Sequence, residues 1–469
     1  MGLLKRLTIP ATAALLALAV PAAAAAETLA QALTAAYNHS GLLRQNRALL
    51  RAADEDVATA MAALRPIVSW SGDVVRTYYR TRTASSTNES IGAYTEASIN
   101  LIAQITLYNG GQSKNSVEAA KETVLATRAD LLSVEQQLLF RAASAFWEVK
   151  RSTQNVTLRQ NNLRVIEEEL RAARDRFELG ETTRTDVSLA EARLAAARSE
   201  LAAAVGQKSV DEEEYRAVIG HRPSNQVYPS GLPTMPGAVS EAERKAVLNH
   251  PSIIGLQHQI AASEIAILIA EGAKKPTVTL GGAYGVSDRF NSDVSESGGT
   301  VSLDLSGPIY SGGALSSAER QARANRDAVR SSLHDLTHDV RQAVANAYAQ
   351  LNVARASREA SESQVRASQL AFDGIREEAT LGSRTTLDVL DAEQELLDAR
   401  AALISAQVDE SVAAYQVLFA VGDLTAAKLR LKVPHYDPSD YYNLVKNAPV
   451  SSSKQGQELD RVLRALGKE

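Results

Sequence analysis

Few residues of this chain have types and spacing that could do chemistry. His334 and His338 stand one helical turn apart in His-Asp-Leu-Thr-His, a spacing that lets two imidazoles share a zinc ion. A zinc hydrolase would carry glutamate in the second position, where this chain has Asp335, and no third ligand is evident. Cysteine is absent, which excludes thiol chemistry, a disulfide framework, a cysteine zinc site and a lipid-anchored N-terminal cysteine. No nucleophile elbow, phosphate loop or paired-carboxylate site is evident, so the residues predict no enzyme, no cofactor and no metal.

Charge is the chemistry that remains. Leu179-Gly180-Glu181-Thr182-Thr183-Arg184-Thr185-Asp186-Val187 is echoed by Leu381-Gly382-Ser383-Arg384-Thr385-Thr386-Leu387-Asp388-Val389-Leu390-Asp391. Each copy reads as a helix-ending glycine followed by a Thr-x-x-Asp restart, and hence as the tip of a helical hairpin. Asp186 and Asp388 take the fourth position of the restart, where a carboxylate can complete a cap and do nothing more. Asp391 lies three residues past Asp388 on the same face, where the first copy has Leu189, and no cap explains it.

A duplication supplies the elements that must position these tips. Gly180 and Gly382 are 202 residues apart (382 − 180), and the same shift lays Leu107-Tyr108-Asn109-Gly110-Gly111 on Ile309-Tyr310-Ser311-Gly312-Gly313 and Gly220 on Gly422. Proline is missing from 67–222 and from 309–433, so both tracts can hold uninterrupted helix. Long helices are expected from about Gln112 to Glu178 and from about Ala314 to Thr380, each about 100 Å long at 1.5 Å per residue. Leu333, Leu336, Val340, Ala343, Ala347, Leu351 and Ala354 form a narrow stripe that suits close, coiled-coil-like partners.

Between these tracts the period changes to two. Strand pairs are expected at 67–79/95–107 and 277–287/300–306, each strand of about ten residues, the length of a tilted strand crossing a bilayer. Ile99, Leu101, Leu280, Val301, Leu303 and Leu305 fall on one face, opposed by Glu96, Ser98, Asn100 and Gln104, with Ile102 and Arg76 as exceptions. Tyr78, Tyr79, Tyr94, Tyr284 and Phe290 near the loops, and Tyr108 and Tyr310 on the helix side, suit two interfacial girdles. A soluble sheet with one face on a core would show the same alternation. Four strands in lipid would leave two unpaired edges, so a membrane barrel must close with strands from several copies.

Lys5 and Arg6, the apolar run Ala11 to Val20 and the alanines before Glu27 read as a secretory signal over 1–26. Without it the formal charge becomes −7 (48 basic against 55 acidic), which offers no footprint for nucleic acid. The expected order is a first repeat at 27–222, a linker at 223–239, a second repeat at 240–433 and a periplasmic tail at 434–469. The tail reads as loop through Ser453 and a short helix from Gln457 to Leu466. Residues 27–65 and 240–275 read as helical arms, each with an Asn-His pair, Asn38-His39 and Asn249-His250.

The order of elements, the Tyr-x-Gly-Gly junctions after each strand pair and the Leu-Gly-x-Arg-Thr-x-x-Asp-Val-Leu-Asp tip resemble the TolC family of outer-membrane channel-tunnels. The resemblance covers 27–433, and its closest matches are Gly307-Pro308-Ile309-Tyr310-Ser311-Gly312-Gly313 and 381–391. Asp391-Ala392-Glu393-Gln394-Glu395-Leu396 is most similar to the type I secretion branch. The resemblance implies a mostly α fold with a membrane β-barrel: a homotrimer with a twelve-stranded barrel in the outer membrane and a helical periplasmic tunnel. It implies a passive export duct for type I secretion or multidrug efflux, coupled through a periplasmic adaptor (membrane fusion) protein to an inner-membrane ABC or RND transporter. It places the gate at Asp186, Arg384, Asp388 and Asp391, adaptor docking at Leu179, Gly180, Leu381 and Gly382, and strand-helix junctions at Gly110, Gly111, Pro308, Gly312 and Gly313. Thr106 and Ala379 depart from the family, which has proline at the first position and often a gate tyrosine at the second. The counter-charge expected in the closed gate is Arg384, reaching Asp186 of the facing hairpin. The rivals are a periplasmic structural coiled-coil protein without a pore and a metalloenzyme using His334 and His338.

The signal places the N-terminus in the periplasm, so 81–93 and 289–298 are expected as extracellular loops. An epitope inserted at Ser86 will be reached by antibody on intact cells; reactivity only after permeabilisation would invert the topology.

Overall fold

The computed structural model describes residues 26–82, 89–434 and 436–465. The expected signal lies outside the described residues apart from Ala26, and so does the Ser86 loop position. In chain order the elements are β1 (Glu27–Thr28), α1 (Leu29–His39), α2 (Gly41–Ala62), β2 (Ile67–Arg82), β3 (Glu89–Asn109), α3 (Gln112–Glu178) and α4 (Arg184–Ile219). The second half follows with β4 (Gln226–Val227), α5 (Val239–Asn249), α6 (Pro251–Gly272), β5 (Thr277–Phe290), β6 (Ser295–Ser306), α7 (Ala314–Thr380) and α8 (Thr386–Val421). Two helices close the chain, α9 (Pro438–Val445) and α10 (Lys454–Ala465).

Both long helices span the expected residues, 67 in each. Each starts from a left-handed glycine, Gly111 at φ 86° and Gly313 at φ 83°, so the chain turns sharply out of the sheet where a side chain would be strained. The buried stripe of α7 is Val340, Val344, Ala347, Tyr348, Leu351 and Ala354; Val344 and Tyr348 replace the expected Ala343, which is exposed. The repeat offset is 210 through the arms (239 − 29, 277 − 67) and 202 beyond the sheet (314 − 112), so the extra eight residues of the first half all lie in its strand hairpin. The two Asn-His pairs mark the breaks between α1 and α2 and between α5 and α6. Each histidine packs on a glycine that ends a long helix, His39 on Gly220 after α4 and His250 on Gly422 after α8, both at positive φ.

The strands form one antiparallel sheet in the order β2-β3-β5-β6. Its register puts Trp70, Leu101 and Tyr284 in one row and Val68, Ala103 and Val301 in the next, all on the apolar face. The opposite face carries Asp73, Ser98, Ser287 and Glu296 in one row, with Ser98 Oγ donating to Asp73 Oδ1 at 2.6 Å. The strands run longer than expected. Pairing continues to Arg82↔Glu89, and β5 and β6 turn over 291–294 only, so most of the two expected loops is sheet. Alternation misses these ends because both faces turn polar there. The girdle reading also needs correction: Tyr78 and Phe290 lie on the apolar face, whereas Tyr79 and Tyr94 share the polar face with Glu96 and Arg289. The Arg289 guanidinium stacks 3.9 Å from the Tyr94 ring centroid and pairs with Glu96 Oε2 at 3.5 Å. Arg76 does project on the apolar face, with its guanidinium over the Tyr78 ring.

The main core sits midway along the tunnel helices, where α1, α2, α3, α4 and α8 bury Leu33, Leu50, Leu139, Phe146 and Tyr215. The tail is not loop through Ser453, because Pro438–Val445 is helical. Asp437 caps it, proline opens it, and Val445 anchors it in the interior. Both halves of the sheet argument can be tested at neighbouring positions. Leu303→Arg places a cation on the apolar face, at about 2–4 kcal/mol near a bilayer midplane, and is expected to abolish assembly. Ser302→Arg, on the face with Asp304, is expected to assemble normally, and equal yields of the two would overturn the face assignment.

Candidate functional site

The sites named from sequence gather at the two ends of the helical part. At the sheet end, Gly110 approaches Gly272 so closely that any side chain would collide with the Gly272 carbonyl, and its φ of 69° is left-handed. Gly111, Gly312 and Gly313 share the left-handed conformation, and Pro308 lies between β6 and α7.

At the other end α3 and α4, and α7 and α8, meet in two hairpin tips. Gly180 (φ 78°) and Gly382 (φ 76°) close α3 and α7, and Glu181 N and Ser383 N donate back to Arg176 O and Glu378 O at 2.8 and 3.0 Å. This closure leaves Leu179 and Leu381 protruding, 75% and 79% exposed. Helices α4 and α8 restart with reciprocal caps. Thr183 N and Oγ1 donate to Asp186 Oδ2 at 2.9 and 2.8 Å, and Thr385 N and Oγ1 do the same to Asp388 Oδ2. Backbone and hydroxyl donation from these threonines holds both carboxyls below the usual range, with Arg384 adding to the effect at Asp388.

Arg384 does not reach Asp186 within the protomer. Its Nε donates to Glu378 Oε2 at 2.8 Å, inside its own tip, because the tight Gly382 turn brings the end of α7 beside it. Asp391 is the residue that joins the two hairpins: Arg193 Nη2 on α4 donates to its Oδ1 at 2.6 Å. Ala379 packs with Phe372, Val389 and Leu396 in an apolar contact. His334 and His338 are exposed with ring centroids 4.6 Å apart, and the described residues contain no cluster of three or more metal-ligating side chains.

Sequence reasoning missed Arg193, Glu378 and a buried pair above the tip. Glu393 is 7% exposed, accepts from Asn162 Nδ2 at 3.2 Å, and leaves its second oxygen without a partner. The signal was present. Val389, Leu390, Glu393, Leu396 and Leu397 form a three-and-four stripe, and an acid on such a stripe is buried. It lines a cavity of about 110 Å³ with Phe372, Arg376 and Arg400. Burial pushes its carboxyl up from 4.5 to about 7. The folded chain therefore holds this proton more tightly than the unfolded chain, and stability falls as pH rises from about 4.5 to about 7, by up to about 3 kcal/mol. Thermal unfolding followed by circular dichroism between pH 4 and 8 should show that fall, and Glu393→Gln, which keeps the Asn162 bond, should lack it. Superimposable profiles would show that the carboxyl titrates alike in the folded and unfolded chain.

The geometry has close counterparts among known proteins. A family model described as "Outer membrane efflux protein" matches residues 18–221 and 244–423. The outer membrane efflux protein BepC of Brucella suis is 35% identical over 427 residues, 91% of this chain and 92% of that relative. The outer membrane protein TolC of Vibrio cholerae is 25% identical over 328 residues, 66% of this chain and 73% of its own length. In fold, the CmeC outer membrane channel of Campylobacter jejuni superposes with a TM-score of 0.76 at 14% identity, over 90% of each chain. A barrel-type sheet with one apolar face, two repeats and two capped hairpin tips thus coincide with a match across both repeats, and the chain belongs to the outer membrane efflux protein family, the TolC-like channel-tunnels of the bacterial outer membrane.

Proposed function

We propose that three copies close one barrel and one tunnel, forming a passive duct that exports cargo without catalysis. Its tips meet a periplasmic adaptor, and through it an inner-membrane ABC or RND transporter. TolC-like channels form trimers and work with such partners. The observation that carries the reading is the incompleteness of the protomer. Its sheet leaves β2 and β6 each with an unpaired edge, which lipid does not tolerate. The repeat indicates what is missing. Gly110 packs on Gly272 inside the protomer, but Gly312 and Gly313 have open space, and the counterpart of Gly272 is Ala62 (272 − 210) at the end of α2 in a neighbouring copy. Val353 and Leu370 on α7 and Val205 and Val210 on α4 are exposed apolar residues on the outer members of the helical wall. Extraction from membranes as a detergent-stable trimer tests the reading against a soluble coiled-coil protein, which would be released by salt washing.

At the tips three copies would set Asp388 and Asp391 as rings of like charge about one axis, a device that favours cations and resists closure unless countered. Arg193 supplies the counter-charge to Asp391 and ties the hairpins together, whereas the Arg384–Glu378 bond ties a tip to itself. Each exposed pair is worth only about 0.2–1 kcal/mol, but three act together in one trimer. Arg193→Ser is therefore expected to raise single-channel conductance in planar bilayers more than Arg384→Ser, and Asp391→Asn to weaken cation selectivity. Equal conductance in the two arginine variants would remove the Arg193 link from the gate, and unchanged selectivity would remove Asp391.

A further inference from the structure

The tail returns toward the sheet. Tyr441 Oη donates to Glu55 on α2 at 2.6 Å, and Arg65, two residues before β2 begins, donates from Nη1 to Ala448 O at 2.8 Å and from Nη2 to Asn447 O. The chain has thus climbed along α2 to the level at which it enters the membrane sheet. A turn over Val450 and Ser453, closed by Ser453 N on Val450 O, then launches α10 from that level. Among the described residues α10 packs appreciably on no element except α9.

Leu459, Val462 and Leu463, at spacings of three and four, share one side of the helix, and Gln457, Arg461 and Arg464 lie opposite. Val462 is 38% exposed, and Leu459 and Leu463 are only half-buried. A strongly two-faced helix with mixed charge and few apolar residues suits a surface that is oily on one side and wet on the other. We propose that α10 lies in the periplasmic leaflet of the outer membrane, its Leu459–Val462–Leu463 face against phospholipid acyl chains at the foot of the barrel. The continuity from Arg65 to the sheet selects lipid over other occupants, because the surface next to the start of β2 is the apolar belt of Val68, Trp70 and Val301. Three copies would ring the barrel base with short amphipathic helices and set its depth in the bilayer.

The absence of cysteine makes single-site spin labelling clean. The full chain carrying Val462→Cys, Gln457→Cys or, as a marker of barrel insertion, Val301→Cys would be labelled in nanodiscs of phosphatidylethanolamine and phosphatidylglycerol. Collision with oxygen, which concentrates in lipid, is compared with collision with a water-soluble nickel chelate. The expected result is an oxygen-to-nickel ratio several-fold higher at Val462 than at Gln457 and similar in direction to that at Val301. With Val301 lipid-facing, equal, nickel-rich values at 457 and 462 would place α10 in water. Suppression of both collisions at 462 would place it against protein, such as a second copy of the chain. Either outcome overturns the proposal, and a water-exposed Val301 would overturn the membrane placement on which it rests.

Discussion

A backbone N–H or C=O cannot remain unbonded in hydrocarbon, where each such group costs several kilocalories per mole. Almost every other feature of this chain follows from that constraint. The β2-β3-β5-β6 sheet satisfies its three internal ladders and leaves two edges that only other copies can fill. Because the sheet must curve into a cylinder, its faces separate: residues toward lipid become apolar and those toward the lumen polar, which is the alternation that the register displays. The long helices inherit the same incompleteness. They pack in the order α4-α3-α8-α7, a wall whose outer members, α4 and α7, keep apolar residues exposed in the protomer.

The duplication makes this economical. A wall of near-equivalent helices needs the same contact within a protomer and between protomers, and the glycines show how one geometry serves both. Gly110 meets Gly272 backbone to backbone, while Gly312 and Gly313 have the same left-handed conformation and no neighbour. Glycine there answers a positive φ and a close approach together, so the sharp turn from strand to helix and the tight helix spacing share one requirement. The arms obey the same rule, His39 against Gly220 and His250 against Gly422.

Much of this was legible in the sequence because the signals were long and redundant. Two 67-residue helices without proline, closed by Leu-Gly and reopened by Thr-x-x-Asp, leave little freedom, and their limits were read to the residue. The strand ends were not legible, because alternation reports a difference between faces and vanishes where both are wet, beyond Tyr78 and before Val301. The face of Tyr79 and Tyr94 escaped for a related reason: clustering aromatics near a loop does not say which side of the sheet they occupy. At the tip, spacing along one helix identified Asp391 as unexplained but could not find Arg193, which is 198 residues away in the chain and becomes a neighbour only through packing. The helix at Pro438–Val445 was hidden by its own shortness, since eight residues show too few turns for a period.

The distribution of apolar burial favours the hairpin tips over the middle of the wall as the place of the proposed gate. Midway along the tunnel one large cluster joins α1, α2, α3, α4 and α8 around Phe146, Trp147 and Tyr215, and a second joins α5, α6, α7 and α8 around Val344, Leu351 and Val417, so that movement there would open cavities. Near the tips the clusters shrink to Leu170, Ala173, Ala190 and Leu390 in one place and Phe372, Val389 and Leu396 in another. Regions with few buried contacts open at lower free energy than the core they extend from. Polar bonds of modest strength can decide between two arrangements only where packing does not, and three of them lie where packing is thin: Arg193 with Asp391, Arg384 with Glu378, and Asn162 with Glu393. The hairpin ends are thus stiff along their axes, being continuous helix, but loosely held sideways. On the proposed reading a docked partner would need to supply only the few kilocalories per mole that such pairs represent, while the core midway along the helices keeps the rest of the wall in place.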